Sequence, residues 1–239
     1  MRLIVAADAT AAASIAAAEI GRACRAAVAA RGRALIAVSG GTTPWLMLRD
    51  LRSLDLPWKS IHVAQVDERC APHGDAQRNL TQLEEILVHD GPLQASQLLA
   101  MPVEAQDRVA AASGHQSALE ALFDHPVRFD LVQLGLGTDG HTASLVPDDP
   151  VLAVVDRDVA ITLPYQGLPR MTLTYPPLAR ARERLWLVTG ESKSSRLAEL
   201  LRGTGTTPAI AVAREHSTVI ADAASAPAPS PAPGGRGLG

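Results

Sequence analysis

One short run of the chain combines residue types that are suited to proton transfer. It reads Gly135-Leu136-Gly137-Thr138-Asp139-Gly140-His141-Thr142-Ala143-Ser144 and follows an apolar segment at residues 129–134. Glycine lets the backbone adopt positive φ angles and approach other groups closely, and histidine exchanges a proton near neutral pH. The Asp139–His141 pair is therefore a candidate for acid–base chemistry. The alternative is an ordinary glycine turn that carries a surface histidine.

The same glycines also match G-x-G-x-x-G, the phosphate-binding turn of dinucleotide-binding folds. That turn must lead directly into a helix whose N-terminus receives the pyrophosphate. Here Pro147 comes soon after His141 and would interrupt such a helix. Asp156 and Asp158 precede an apolar run, whereas the acid that binds ribose should end a strand. The sequence therefore does not predict a dinucleotide site.

A second run, Ser39-Gly40-Gly41-Thr42-Thr43-Pro44, has the composition of an anion-binding loop. Its glycines leave backbone N–H groups free to point inward, its hydroxyl groups add donors, and Pro44 suits the first turn of a following helix. Phosphate binds well at such a helix N-terminus. The run lacks the lysine of a Walker motif, which excludes an NTP-binding loop. A serine-capped turn without a ligand fits the same residues equally well.

Two further runs place charged side chains directly after apolar segments. Asp67-Glu68-Arg69 combines carboxylates with a guanidinium group that can hold an anion through two hydrogen bonds. Thr189-Gly190-Glu191-Ser192-Lys193 contains one of the two lysines of the chain, and Arg170 is a further candidate cation. Each run alone also fits a surface salt bridge or a solvated helix start. Four chemically matched runs at predicted strand ends favour a binding site.

The elements that position these runs are predicted to alternate between strands and helices. Continuous apolar segments, typical of strands covered on both faces, occur at residues 34–38, 61–66, 129–134, 185–188 and 209–212. Helical patterns lie at residues 10–30, 44–54, 77–88, 107–123 and 192–201. Residues 159–175 add two short strands outside this alternation. The pattern predicts an α/β fold with a mostly parallel sheet, whose ligands bind at the carboxyl ends of the strands.

Composition limits the remaining possibilities. With 239 residues, of which 47% are hydrophobic, the chain can bury one large core, so we predict a single domain over residues 1–222. Residues 223–239 are almost wholly Ala, Pro, Ser and Gly, and we expect them to be disordered. A net charge of −3 gives no reason to expect nucleic acid or a membrane as partner. Two cysteines, Cys24 and Cys70, are too few for a disulfide framework and fit a reducing cytoplasm.

In order and spacing, the four runs resemble those of the 6-phosphogluconolactonases, within the wider group that includes glucosamine-6-phosphate deaminases and ribose-5-phosphate isomerases. The resemblance covers about residues 2–221. It implies a Rossmann-like three-layer α/β/α sandwich and a hydrolase that uses no cofactor and no metal ion. It further implies a small-molecule substrate, 6-phosphoglucono-1,5-lactone, opened to 6-phosphogluconate in the pentose phosphate pathway.

The resemblance also assigns a role to each candidate residue. His141 is expected to be the general base that takes a proton from the attacking water, with Asp139 orienting its imidazole or tuning its pKa. Asp67 is expected to line the sugar-ring side of the site. The phosphate group is expected to contact one loop and three cations: Ser39, Gly40, Gly41, Thr42, Arg69, Arg170 and Lys193. Because a lactone is an activated ester, water and a base can suffice without a covalent nucleophile.

The sequence departs from the family pattern near two of these runs. Cys70-Ala71-Pro72 stands where Val-Pro is common, and Val146 stands where phenylalanine is usual. Two alternative functions stay open. A glucosamine-6-phosphate deaminase typically continues from Asp-Gly-His toward Ala-Phe-Asn-Glu, whereas this chain has Thr142-Ala143-Ser144-Leu145 without a nearby glutamate. A non-catalytic sugar-phosphate sensor usually carries a DNA-binding module, and the sequence has no basic helix-turn-helix segment.

Overall fold

The computed structural model describes residues 1–227, and residues 228–239 lie outside the described part. Within that part the strands are β1 (Arg2–Ala6), β2 (Ala34–Val38), β3 (Ile61–Gln65), β4 (Asp67–Arg69), β5 (Leu98–Leu99), β6 (Leu131–Leu134), β7 (Val159–Ile161), β8 (Arg170–Leu173), β9 (Glu183–Val188) and β10 (Ser217–Asp222). Seven strands form one sheet in the order β1-β10-β9-β6-β2-β3-β5, and all of its pairs are parallel. The predicted parallel sheet is thereby confirmed.

Helices cover both faces of this sheet. In the described part of the chain they are α1 (Ala9–Arg31), α2 (Thr42–Arg52), α3 (Asn79–Leu83), α4 (Arg108–Leu122), α5 (Tyr175–Arg180) and α6 (Ser194–Arg202). Strand β2 sends Leu35 and Ala37 into a core cluster shared with α4 and α6, and Ala34, Ile36 and Val38 into another shared with α1 and α2. Because both faces of β2 are buried, its sequence is continuously apolar. The three-layer α/β/α sandwich is confirmed.

Helix α1 packs closely because its buried face is mostly alanine. Asp8 caps its N-terminus by accepting a hydrogen bond from the Ala11 amide. Larger buried side chains are few on this helix, chiefly Ile20 and Cys24, so its backbone can approach the sheet and α2. Among residues 1–227, α1 and the other helices lack the combination of length and apolar character that is needed to cross a bilayer.

A second sheet of three strands lies beyond the carboxyl end of β3. Its order is β4-β8-β7, and both strand pairs are antiparallel. Val66 joins the two sheets, since its N–H donates to the Val38 carbonyl and its own carbonyl accepts from Leu173 N–H. Strands β7 and β8 are the two short strands predicted within residues 159–175, whereas the charged sequence of β4 does not reveal a strand. The register places Arg69 opposite Arg170.

The apolar segment at residues 209–212 does not form the predicted strand. Pro208–Ala211 is a 3-10 turn instead, and Ala209 N–H donates to the Gly140 carbonyl, beside the Asp139–His141 pair. Pro208 has no N–H to give to a sheet, which favours the turn over a strand. The last strand is β10, whose polar residues at both ends conceal it in the sequence.

The packed part of the chain continues past β10. The buried Ser225 donates its hydroxyl hydrogen to the Val188 carbonyl at 2.9 Å, and its N–H donates to the Asp222 carboxylate at 2.9 Å. The folded segment therefore extends at least to Ser225, beyond the boundary expected at residue 222. The remainder of the expected disordered tail, from residue 228, lies outside the described residues and stays a prediction.

Candidate active site

A cavity of about 500 Å³ opens at the carboxyl edge of the large sheet, beside the small one. Its walls come from the segments that follow β2, β3, β6 and β9, as expected for an α/β sheet. The predicted site residues that border it are Ser39, Gly40, Gly41, Thr42, Asp67, Arg69, His141, Arg170 and Lys193. Asp139 does not border the cavity but contacts the His141 ring. The structure thus brings all of the predicted residues to one place.

Asp139 and His141 form a hydrogen-bonded pair within the glycine turn. His141 Nδ1 lies 2.6 Å from Asp139 Oδ1, and the His141 amide donates to the same oxygen at 3.1 Å. The packing of the pair depends on Gly137, because a Cβ atom there would lie 2.5 Å from Asp139 Oδ1 and closer still to the His141 ring. The glycine is therefore required for the close approach of the two side chains to the backbone.

The ionisation of Asp139 fixes the tautomer of His141. Burial acts to raise the pKa of Asp139, but the hydrogen bonds from His141 N–H, the His141 ring and the Tyr165 hydroxyl outweigh it and lower that pKa. An ionised carboxylate only accepts hydrogen bonds, so Nδ1 of His141 carries the hydrogen. In the neutral ring, Nε2 then bears the free lone pair. That nitrogen is available to take a proton at the cavity wall.

Tyr165 is a third member of this group, which the sequence analysis does not identify. Its hydroxyl donates to Asp139 Oδ2 at 3.1 Å, so both oxygens of that carboxylate accept hydrogen bonds. Its ring meets the His141 ring edge-on at 5.5 Å between centroids. No motif marks this residue in the sequence, because it lies in the turn between β7 and β8, 26 residues from Asp139.

The predicted anion loop is the N-terminus of α2. Gly41 is its N-cap and has no side chain with which to cap the helix, so the first amides of α2 are left to a ligand. The Thr43 hydroxyl shares a 2.7 Å hydrogen bond with the Thr189 hydroxyl, which ties this loop to the segment after β9. Ser39 is committed elsewhere, since its hydroxyl donates to the Gln133 carbonyl and its amide to the Gln133 side chain.

Gly40 is needed because α3 approaches it closely. A Cβ atom at Gly40 would lie 2.5 Å from the side-chain carbon Cγ of Asn79. Asn79 in turn donates to the Asp67 carbonyl at 3.0 Å. The fully buried Glu68 holds the start of α3 by accepting from the amides of Asn79 and Leu80, each at 2.8 Å. Glu68 therefore has a structural role in this site.

Four cations border the cavity, and one of them, Arg78, is paired with Glu68 and Glu104. In the described part of the chain the other three have no carboxylate oxygen within 4.0 Å: Arg69, Arg170 and Lys193. Arg170 is only 4% exposed, and its Nε has no hydrogen-bond partner among residues 1–227. Burial lowers the pKa values of both Arg170 and Lys193, against the opposing effects of Asp67 and Asp139 respectively. A buried cation that contacts no carboxylate is costly, so the surroundings of Arg170 in particular suit the cavity to an anion.

Asp67 lies on the wall formed by the small sheet. It accepts a hydrogen bond from the Ser144 hydroxyl at 2.5 Å, and Arg170 contacts the same hydroxyl at 3.5 Å. Burial raises the pKa of Asp67 despite the Ser144 hydrogen bond and the nearby Arg170 charge. Among residues 1–227, Asp67 is the only carboxylate that borders the cavity. No group of three or more metal-ligating side chains comes together in that part of the chain.

Comparison with known proteins gives two levels of similarity. The 6-phosphogluconolactonase of Synechocystis sp. is 39% identical over 180 residues, which cover 73% of this chain and 74% of that protein. The crystal structure of 6-phosphogluconolactonase from Thermotoga maritima matches with a TM-score of 0.82 at 26% identity, over 92% of this chain and 98% of that chain. A monomeric glucosamine-6-phosphate deaminase also matches, with a TM-score of 0.81 at 18% identity, over 94% of this chain and 98% of that chain. The fold alone therefore does not separate the two activities.

The family model for glucosamine-6-phosphate isomerases/6-phosphogluconolactonase matches residues 7–221. That range begins directly after β1, ends within β10 and includes each of the four runs that surround the cavity. The match therefore covers both the sandwich and its site. This chain belongs to the glucosamine-6-phosphate isomerase/6-phosphogluconolactonase family.

Proposed function

We propose that the protein hydrolyses 6-phosphoglucono-1,5-lactone to 6-phosphogluconate, a step of the oxidative pentose phosphate pathway. The observation that carries the proposal is the shared cavity: three cations without carboxylate partners within 4.0 Å in residues 1–227 border the same space as His141, whose ring is hydrogen-bonded to Asp139. A phosphorylated substrate supplies the missing negative charge, and its lactone carbonyl is the group that water attacks when a base takes a proton from that water.

The phosphate group is held by the α2 N-terminus and the cations. The backbone amides of Gly40, Gly41 and Thr42 lie at the N-terminus of α2 and donate to the phosphate group. A helix N-terminus favours anions. Arg69, Arg170 and Lys193 add charge-assisted hydrogen bonds. Asp67 accepts hydrogen bonds from hydroxyl groups of the sugar. Ser39 acts indirectly, by fixing the end of β2 to Gln133.

Hydrolysis proceeds by general-base catalysis. Nε2 of His141 takes a proton from water as the water oxygen bonds to the lactone carbonyl carbon, while Asp139 stabilises the resulting imidazolium through Nδ1–H. The tetrahedral intermediate then expels the ring oxygen, which takes that proton from His141 and becomes a hydroxyl group. The new carboxylic acid ionises in water. The imidazole of His141 returns to its neutral form, so the reaction cycle requires no other proton donor.

The cavity wall gives a reason to favour the lactonase over the deaminase. Ring opening and isomerisation by a deaminase need an additional acid. In the described chain, Asp67 is the sole carboxylate on the wall, and the residues after His141 contribute no glutamate. Deamination of glucosamine 6-phosphate is therefore the second candidate, and binding without catalysis is the third.

The decisive assay generates the lactone in situ and follows acid release above the spontaneous rate. We expect His141→Ala to lower kcat by about 10²–10⁴-fold, the usual contribution of a general base, with little change in binding of 6-phosphogluconate. His89→Ala is the control, since His89 is exposed and does not border the cavity. Activity of His141→Ala equal to that of wild type would exclude His141 as the base.

Two other outcomes distinguish the alternatives. Release of ammonia from glucosamine 6-phosphate without acceleration of lactone hydrolysis would establish the deaminase. Binding of 6-phosphogluconate without turnover of either substrate would establish a sensor.

The two cysteines support a location in a reducing compartment, the cytoplasm. Cys24 and Cys70 are free thiols and both are buried. Burial raises the pKa of Cys24 to about 12 and raises that of Cys70 as well. Neither thiol is therefore activated for disulfide chemistry.

A further inference from the structure

The turn between β7 and β8 brings one aromatic side chain to the catalytic pair. Gln166 and Gly167 both have positive φ angles, 54° and 92°, and Tyr165 and Leu168 form a β-bridge across the turn. The neighbours Pro164 and Gln166 are exposed, so this turn does not build the core. Tyr165 nevertheless points inward from it and is half-buried.

Tyr165 makes a separate contact with each part of the site. Its hydroxyl donates to Asp139 Oδ2 at 3.1 Å, and its ring edge packs against the His141 ring. The guanidinium carbon of Arg170 lies 4.9 Å from the centroid of the Tyr165 ring, within cation–π distance. Arg170 also contacts Gln166 Oε1 of the same turn at 3.3 Å. One side chain thus links the catalytic pair to a cation of the anion site.

We propose that Tyr165 is a positioning residue for lactone hydrolysis: its hydroxyl orients Asp139 and thereby His141, and its ring seats Arg170 against the substrate. This inference rests on the proposed function. The hydroxyl fixes the carboxylate by occupying Oδ2, which leaves Oδ1 to hold Nδ1 of His141. The ring gives the buried guanidinium of Arg170 a partner in place of a carboxylate.

The hydroxyl and the ring can be tested separately, because the two contacts act on different kinetic constants. Tyr165→Phe removes only the hydroxyl, and we expect kcat to fall about tenfold with KM nearly unchanged, as for a hydrogen bond to a charged group. Tyr165→Leu also removes the ring, and we expect its KM to be about fivefold higher than that of Tyr165→Phe, as for loss of a cation–π contact. Restoring the ring as phenylalanine should therefore rescue KM but not kcat.

The chain offers a matched control. It contains two tyrosines, and Tyr175 donates its hydroxyl to the Pro208 carbonyl at 3.1 Å without bordering the cavity. Tyr175→Phe should leave kcat and KM at their wild-type values. Equal losses of kcat in Tyr165→Phe and Tyr175→Phe would mean that both act through folding, and this would overturn the proposal. A KM for Tyr165→Leu equal to that of Tyr165→Phe would overturn the role of the ring.

Phenol titration tests the Asp139 contact without reference to activity. Burial and the Asp139 carboxylate raise the pKa of Tyr165. In the Tyr175→Phe background, Tyr165 is the sole phenol, so its near-ultraviolet absorbance reports that pKa directly. Asp139→Asn should lower it, because the neutral amide no longer opposes formation of phenolate. An unchanged titration would refute the contact.

The two measurements separate failure of this inference from failure of the proposed function. Lactonase activity in the wild type with no effect of Tyr165→Phe would reject the positioning role alone. Absence of lactonase activity in the wild type would reject the function and the positioning role with it. In that case the titration still decides whether Tyr165 is coupled to Asp139.

Discussion

Replacing Gly137 with alanine tests whether the placement of the catalytic pair, rather than its mere presence, governs catalysis. Gly137 has no positive φ angle, so alanine is compatible with its backbone. The added Cβ, however, would lie 2.5 Å from Asp139 Oδ1 and closer to Nδ1 of His141, whereas real Cβ contacts essentially never fall under 3.0 Å. The two side chains must therefore move away from the turn.

The size of the effect follows from that displacement. The side chains of His141 and Asp139 are both partly exposed and can therefore move, so we expect the free energy of unfolding to fall by only about 1–3 kcal/mol, as for other overpacked sites. The ring must shift by about 1 Å, and misplacement of that size reduces rates about 10²-fold. We therefore expect kcat of Gly137→Ala to fall by about two orders of magnitude while 6-phosphogluconate still binds.

Gly135→Ala is the comparison within the same turn, because a Cβ at Gly135 meets no atom within 4 Å. Gly135 borders the cavity, so the methyl group added in Gly135→Ala can weaken substrate binding. The two variants are therefore compared by their kcat values. The lactone is generated in situ, and folding is monitored by thermal unfolding. Similar kcat values for the two variants, both near wild type, would refute the argument that Gly137 sets the geometry of the pair.

Two further predictions concern the anion site. Burial lowers the pKa of Lys193 below its ordinary value of 10.5, so the free protein loses this charge as pH rises through the lowered pKa. The Kd of 6-phosphogluconate, measured by calorimetry, should then increase at alkaline pH in the wild type. It should not increase in Lys193→Arg, whose guanidinium group stays charged. The same dependence of Kd on pH in both proteins would contradict this role of Lys193. Gly40→Ala should displace Asn79, raising KM and lowering stability by about 1–3 kcal/mol. Gly114→Ala, whose Cβ meets nothing within 4 Å, should do neither.

Much of the fold could be predicted because buried parallel strands leave a strong local signal. Residues 34–38 are continuously apolar and form β2 with the same bounds. The segment at residues 209–212 carries the same signal without forming a strand, because a run of small apolar residues packs equally well as a 3-10 turn under the Asp139–His141 turn. Strand β10 was harder to predict because its ends are polar. Apolar runs report burial, and burial does not distinguish these two conformations.

The candidate site could be predicted to the extent that its residues follow strands of the large sheet. His141 and Lys193 follow β6 and β9, and the carboxyl ends of parallel strands share one edge. Tyr165 contacts Asp139, and Ser144 contacts Asp67. Neither contact could be predicted in this way, because the small sheet positions Tyr165 and Asp67. Pairing between β4 and β8 depends on residues about a hundred positions apart, for which a single sequence carries no local signal.

The small sheet explains how the buried Arg170 can remain without a carboxylate partner. Arg170 is anchored through the backbone of β8, whose register with β4 sets it opposite Arg69, another cation. Such a pairing of like charges opposes folding. In the described part of the chain neither carboxylate of β4 contacts either guanidinium group within 4.0 Å, because Glu68 accepts hydrogen bonds from the start of α3 and Asp67 accepts one from Ser144. Stability alone would favour a carboxylate or an apolar residue at one of these positions. The arrangement is better explained by a ligand that brings its own negative charge, which is why removal of either arginine should weaken phosphate binding more than it weakens the fold.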